Sequence, residues 1–62
     1  MKFKKGIKIY DKFVPEHVGI IKQVLKTRVK VQFNHDEFGD WQTYDLPHAK
    51  LCLRRYNAKT TS

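Results

Sequence analysis

The chain is read as an all-β domain, five short strands in a closed or half-closed barrel with one 3₁₀ turn before the last strand. Three observations carry that expectation. Val29-Lys30-Val31-Gln32-Phe33 alternates apolar and polar residues, the period-two mark of a strand with one buried and one wet face. A β-branched, apolar run precedes it (Ile20, Ile21, Val24, Leu25), separated by the polar pair Lys26-Thr27. That arrangement suits a hairpin whose first strand is the more deeply buried partner. Turn-forming residues then punctuate the rest of the chain every few positions, leaving room only for short strands.

Taken in order, residues 2–5 form a basic lead-in, and Gly6 opens a first strand with Ile7 and Ile9 inward and Lys8 and Tyr10 outward. Residues 11–16 read as a loop, because Pro15 donates no ladder hydrogen bond and restricts Val14. The hairpin runs from about His17 to Phe33. Residues 34–40 are turn chemistry, with Gly39 available for positive φ. Trp41–Tyr44 is a fourth strand with Trp41 and Thr43 on one face and Gln42 and Tyr44 on the other. Residues 45–50 suit a single helical or 3₁₀ turn capped by Asp45, with Pro47 tolerated at its start. Leu51–Arg55 closes the domain as a last strand, Leu51 and Leu53 inward, Cys52 and Arg54 outward. Residues 1–56 thus make one domain, and 57–62 are expected to be a disordered tail.

With 62 residues, folding buries only about 60% of the surface of the unfolded chain, so the core is thin. The lone cysteine, Cys52, excludes an intramolecular disulfide and fits a reducing compartment. No apolar run is long enough for a membrane span, and no apolar region of signal-peptide type follows the basic start. The expected setting is cytoplasmic, or associated with a nucleoid or nucleus. The net charge is +7, yet no Lys or Arg lies between Lys30 and Lys50, where Asp36, Glu37, Asp40 and Asp45 fall. The chain therefore reads as a basic body with one acidic flap, and a basic body attracts polyanions.

The layout from Gly6 to Leu53 resembles the SH3-like barrels, particularly their Tudor and KOW branches. The likeness rests on Gly6-x-x-Ile9, Gly19-x-Ile21, Val29-x-Val31-x-Phe33, the aromatic fourth strand and Leu46-x-x-x-x-Leu51. The resemblance implies a binding module for RNA or DNA, for methylated Lys or Arg tails, or for a larger complex. In size and basicity the chain is also similar to small barrels that phages encode to act on host machinery.

The leading candidate is a nucleic-acid-binding face of Lys4, Lys5, Lys8, Lys22, Lys26, Arg28 and Lys30, with Tyr10 among them and Phe3 and Phe13 nearby. Cations neutralise phosphates and exposed rings stack on bases. Lysine in excess over arginine favours backbone contact over base-edge reading, hence low sequence preference. Against this, Phe3 and Phe13 also suit core positions. The alternative is a protein-interaction module built on Phe38, Asp40, Trp41 and Tyr44; with Tyr10, the three rings would form a Tudor-like aromatic cage whose acid is Asp36 or Asp40. As the sole tryptophan of a thin core, Trp41 is expected to be packed rather than displayed.

Of the dispersed His17, His35, His48 and Cys52, only His48-x-x-x-Cys52 has ligand-like spacing; a structural zinc site needs four convergent ligands, so no metal or other cofactor is expected. Gln42-Thr43-Tyr44 resembles the Gln-Ile-Tyr segment of a plasmid-borne dihydrofolate reductase built from SH3-like barrels, with Thr43 in place of its isoleucine. No paired carboxylates and no nucleophile-with-base motif stand out, so the expectation is a binding protein and not an enzyme.

Overall fold

The structure is a computed structural model and describes residues 2–36 and 38–56. The expected disordered tail at 57–62 and the flap residue Glu37 lie outside the described residues. The elements are β1 (Lys8–Asp11), β2 (Val18–Val24), β3 (Arg28–Phe33), β4 (Trp41–Asp45), α1 (Leu46–Cys52) and β5 (Leu53–Arg55). All strand pairs are antiparallel, in a single sheet of order β4-β3-β2-β1-β5.

The organising hairpin is β2–β3. Leu25 N donates to Arg28 O at 2.7 Å, which closes the turn at Lys26-Thr27. The alternation in β3 is kept in full: Val29, Val31 and Phe33 are buried, and the polar residues between them are not. β2 departs from expectation. Only Gly19 and Ile21 are buried there, while Ile20 and Val24 are exposed, as is Leu25 in the turn. A register shift between Ile21 and Gln23 makes Lys22 the extra residue of a bulge. Before it, Ile20 pairs with Gln32 on the outer face; after it, Val24 pairs with Val29 on the inner face. One inserted residue thus moves every later side chain of β2 to the other side of the sheet.

The inner face is the core. Ile9, Ile21, Val29, Val31 and Leu53 are fully buried, joined by Phe3, Phe33 and Ala49. Burying each large aliphatic side chain stabilises the fold by about 1.5–3 kcal/mol. Gly19 sits where no larger residue fits. A Cβ there would stand 2.7 Å from Gln32 O and 2.9 Å from Phe33 Cδ1, so the Phe33 ring lies directly over the glycine.

The expected 3₁₀ turn is a seven-residue α-helix that runs on through Cys52. Pro47 lies in its first turn, and the spacing of Leu46, Ala49 and Cys52 turns one stripe inward. Leu51 is consequently 56% exposed and Cys52 is buried, the reverse of the strand reading. Asp45 occupies the N-cap position but makes no capping hydrogen bond; its carboxylate meets Arg28 Nε at 3.3 Å instead. At the other end, Arg54 Nη1 donates to Lys50 O at 2.8 Å, satisfying a carbonyl the helix leaves open, and to Leu53 O in β5 at 2.9 Å.

The sheet is not closed into a barrel. Among the described residues β4 pairs only with β3 and β5 only with β1. The chain between β4 and β5 spends its backbone hydrogen bonds inside α1, and β5 is only three residues long. The helix, packed against β3, β4 and β5, covers the inner side where a barrel would close on itself.

Candidate functional site

The outer face of the sheet carries the residues that the core leaves over. Register places Trp41 opposite Gln32, Gln32 opposite Ile20, and Ile20 opposite Lys8. Tyr56 extends this row past β5, its N–H donating to Lys8 O at 2.9 Å. At strand spacings of about 4.8 Å the row from Trp41 to Lys8 spans about 14 Å. Lys8 Nζ stands 4.6 Å from the centroid of the Tyr56 ring, a cation–π contact that holds both at one end. Trp41 is 49% exposed at the other end. It is therefore displayed and not packed, because Phe33 and Tyr44 occupy the inner side and strand parity turns residue 41 outward.

Between the two aromatic ends lies a groove of about 410 Å³, lined by Lys8, Val18, Ile20, Gln32, Asn34 and Tyr56 among others. Gln32 Nε2 donates to Gly39 O at 3.1 Å, which fixes the amide at the edge of this groove. Gly39 has φ of 71°, and a Cβ there would lie 3.0 Å from that same nitrogen. Asn34 Oδ1 accepts from Val18 N at 3.3 Å, which fixes a second amide.

A parallel row holds Thr43, Lys30 and Gln23. Lys30 therefore shares the outer face with Lys8, and Lys22 sits beside it in the bulge. Arg28 lies one step further, tied to Asp45. That is the sole ion pair among the described residues, so Lys8, Lys22 and Lys30 have no carboxylate within 4 Å there.

The other expected cations are elsewhere. Lys4 and Lys5 are exposed in the turn that leads to β1, where Gly6 N donates to Ile21 O. Lys26 joins Lys2 and Lys50 around a separate hollow of about 340 Å³ floored by Val24, Leu25 and Leu46. Tyr10 is half-buried on β1, opposite Val18 and Arg54. Phe3 is core, whereas Phe13 is 63% exposed in the loop after β1.

The residues of the cage do not converge. Tyr44 faces inward, its ring 6.3 Å from that of Phe33 and 5.2 Å from that of His48. Burial pushes its phenol above the ordinary value, and the neighbouring Asp11 and Cys52 add to the push. Trp41 faces outward, and Tyr10 is three strands away. Phe38 and Asp40 are exposed in the flap, Phe38 at 83%. The histidines are likewise apart from one another, save that the rings of His17 and His35 stack at 3.8 Å. Among the described residues no group of three or more His, Cys, Asp or Glu side chains could hold a metal ion, and no helix is long and apolar enough to cross a membrane.

Ile20, Gln32, Asn34 and Tyr56 were not singled out from the sequence. The signal for Ile20 was available, since Gly19 and Ile21 must share the core face and so turn residue 20 outward. Comparison with protein families, with curated proteins and with solved structures found no match.

Proposed function

We propose that the chain binds nucleic acid through the outer face of its sheet, with low sequence preference. Lys8, Lys22 and Lys30 draw the phosphates, and exposed apolar and aromatic side chains supply a stacking surface. The observation that carries this reading is the row Trp41–Gln32–Ile20–Lys8–Tyr56, apolar and aromatic yet unpacked, beside lysines with no ion-pair partner among the described residues. A solvated charged surface explains the lysines but gives no reason for the open tryptophan on the same face. The reading also takes the domain as SH3-like, of the Tudor or KOW kind. The strand order with a single helix ahead of β5 supports that, even with the sheet open.

Fluorescence anisotropy titrations against random single-stranded RNA, single-stranded DNA and duplex DNA at several salt concentrations test the proposal. Contacts from three lysines give a slope of log affinity against log salt of about −2 for a single strand. Charge reversal of Lys8, Lys22 and Lys30 together removes most of the binding. Reversal of Lys2, Lys26 and Lys50 changes the net charge equally but acts on the other hollow, and leaves more of it. Equal losses from the two sets, or no binding at low salt, overturn the assignment.

One observation favours a second reading, a protein partner docked on the flap: Phe38 is nearly fully exposed next to Asp40 and Trp41. Under it, Phe38→Ala abolishes partner capture and leaves nucleic-acid affinity unchanged.

A further inference from the structure

Building on the nucleic-acid reading, we infer that the outer groove is a slot for an unpaired base, so that the chain selects single strands over duplex. The groove has the size and make-up for that ligand. Its volume of about 410 Å³ falls in the range of small-molecule sites, about 300–1,000 Å³. Its floor is Ile20 and Val18, its wall is the Tyr56 ring, and its rim is Lys8. A flat aromatic heterocycle with a phosphate attached matches an apolar floor with one cation at the edge.

The two amides add a polar match. Because Gln32 gives Nε2 to Gly39 O, its Oε1 is the atom left to accept a hydrogen bond from a ligand. Because Asn34 uses Oδ1 to accept from Val18 N, its Nδ2 is left to donate. One acceptor and one donor on the same groove suit the edge of a base, which carries both kinds of group. A duplex hides the Watson–Crick edges and the faces of its bases inside its own stack, so the floor gains nothing from it and the amides lose that edge. Trp41, at the far end of the row, gives a second platform for a neighbouring base of the same strand. The lysines then act on any polyanion, whereas the groove acts only on one with free bases.

The test compares four probes at one salt concentration: ribose and deoxyribose octamers, a duplex of equal length, and inorganic polyphosphate. The wild-type chain binds at least one octamer more tightly per phosphate than the duplex or the polyphosphate. Tyr56→Ala weakens that octamer by about 5- to 150-fold, the span of one stacked base, and weakens polyphosphate binding far less. Ile20→Gln, at an exposed position where folding is kept, acts in the same direction. Circular dichroism confirms that each variant is folded. Equal affinity for octamers, duplex and polyphosphate, with both variants silent, overturns the slot and leaves the basic-face proposal standing. No binding of any probe overturns both. The ratio of ribose to deoxyribose affinity assigns RNA or DNA as the source of the base.

Discussion

The two faces of the sheet are made from alternate residues of the same strands, and they solve opposite problems. The inner face spends Ile9, Ile21, Val31 and Phe33 on a core so tight that Gly19 must lack a side chain. The outer face holds residues of comparable apolar size, Ile20 and Trp41, and packs nothing over them. Scattered exposed hydrophobics are ordinary on a small protein. Here they fall in one register row, between lysines and oriented amides. The contrast teaches that the residues of the core and those of the proposed binding face are separable in this chain, residue by residue along one strand.

The sharpest way to break that contrast uses neighbours in β2. Ile21→Ala should cost roughly 2–5 kcal/mol through the cavity it leaves, while Ile20→Ala should stay within about 0.5 kcal/mol. Urea unfolding of the two variants checks this, and equal costs would mean the face assignment is wrong. Next in size is Gly19→Ala, expected to destabilise by about 1–3 kcal/mol, because the added methyl meets the Gln32 carbonyl of the backbone as well as the Phe33 ring. A neutral outcome in the same assay would show that Phe33 does not lie over the glycine.

A third prediction concerns Tyr44 on the inner face. Its phenol titrates above 10.0 when folded, so the unfolded chain releases the proton first. The stability tied to the neutral phenol is therefore whole below about pH 10 and declines as pH rises beyond it. Thermal melts across that window should fall less steeply for Tyr44→Phe than for the wild type. The smallest effect belongs to Arg28–Asp45, an exposed pair. Arg28→Ala should cost about 0–1 kcal/mol, and less at high salt. A larger, salt-insensitive loss would reveal a packing role for Arg28.

Most of the architecture could be read from the chain because it rests on local alternation. Val29, Val31 and Phe33 repeat every second residue, and the hairpin partner precedes them across a polar turn. The bulge at Lys22 left no such mark, since a single extra residue does not disturb the apolar count of the run. Leu51 looked like the start of a strand because Leu51 and Leu53 alternate; Leu46, Ala49 and Cys52 also fit a helical stripe, and the helix prevailed through Cys52. The lysines of the site were visible as composition, but not their sorting between two hollows, which depends on how the fold brings separate elements together. Gln32 and Asn34 carry no signal of their own. Their amides matter only through partners at Gly39 and Val18 that the fold supplies.

The central claim is that recognition belongs to the outer face, and an amide chemical-shift titration with a single-stranded octamer tests it most directly. The largest shifts are expected on Lys8, Val18, Ile20, Lys30, Gln32 and the Trp41 indole, with Leu25, Leu46 and Lys50 unmoved. Shifts centred on Leu25, Leu46 and Lys50 instead would place the ligand in the opposite hollow and contradict it.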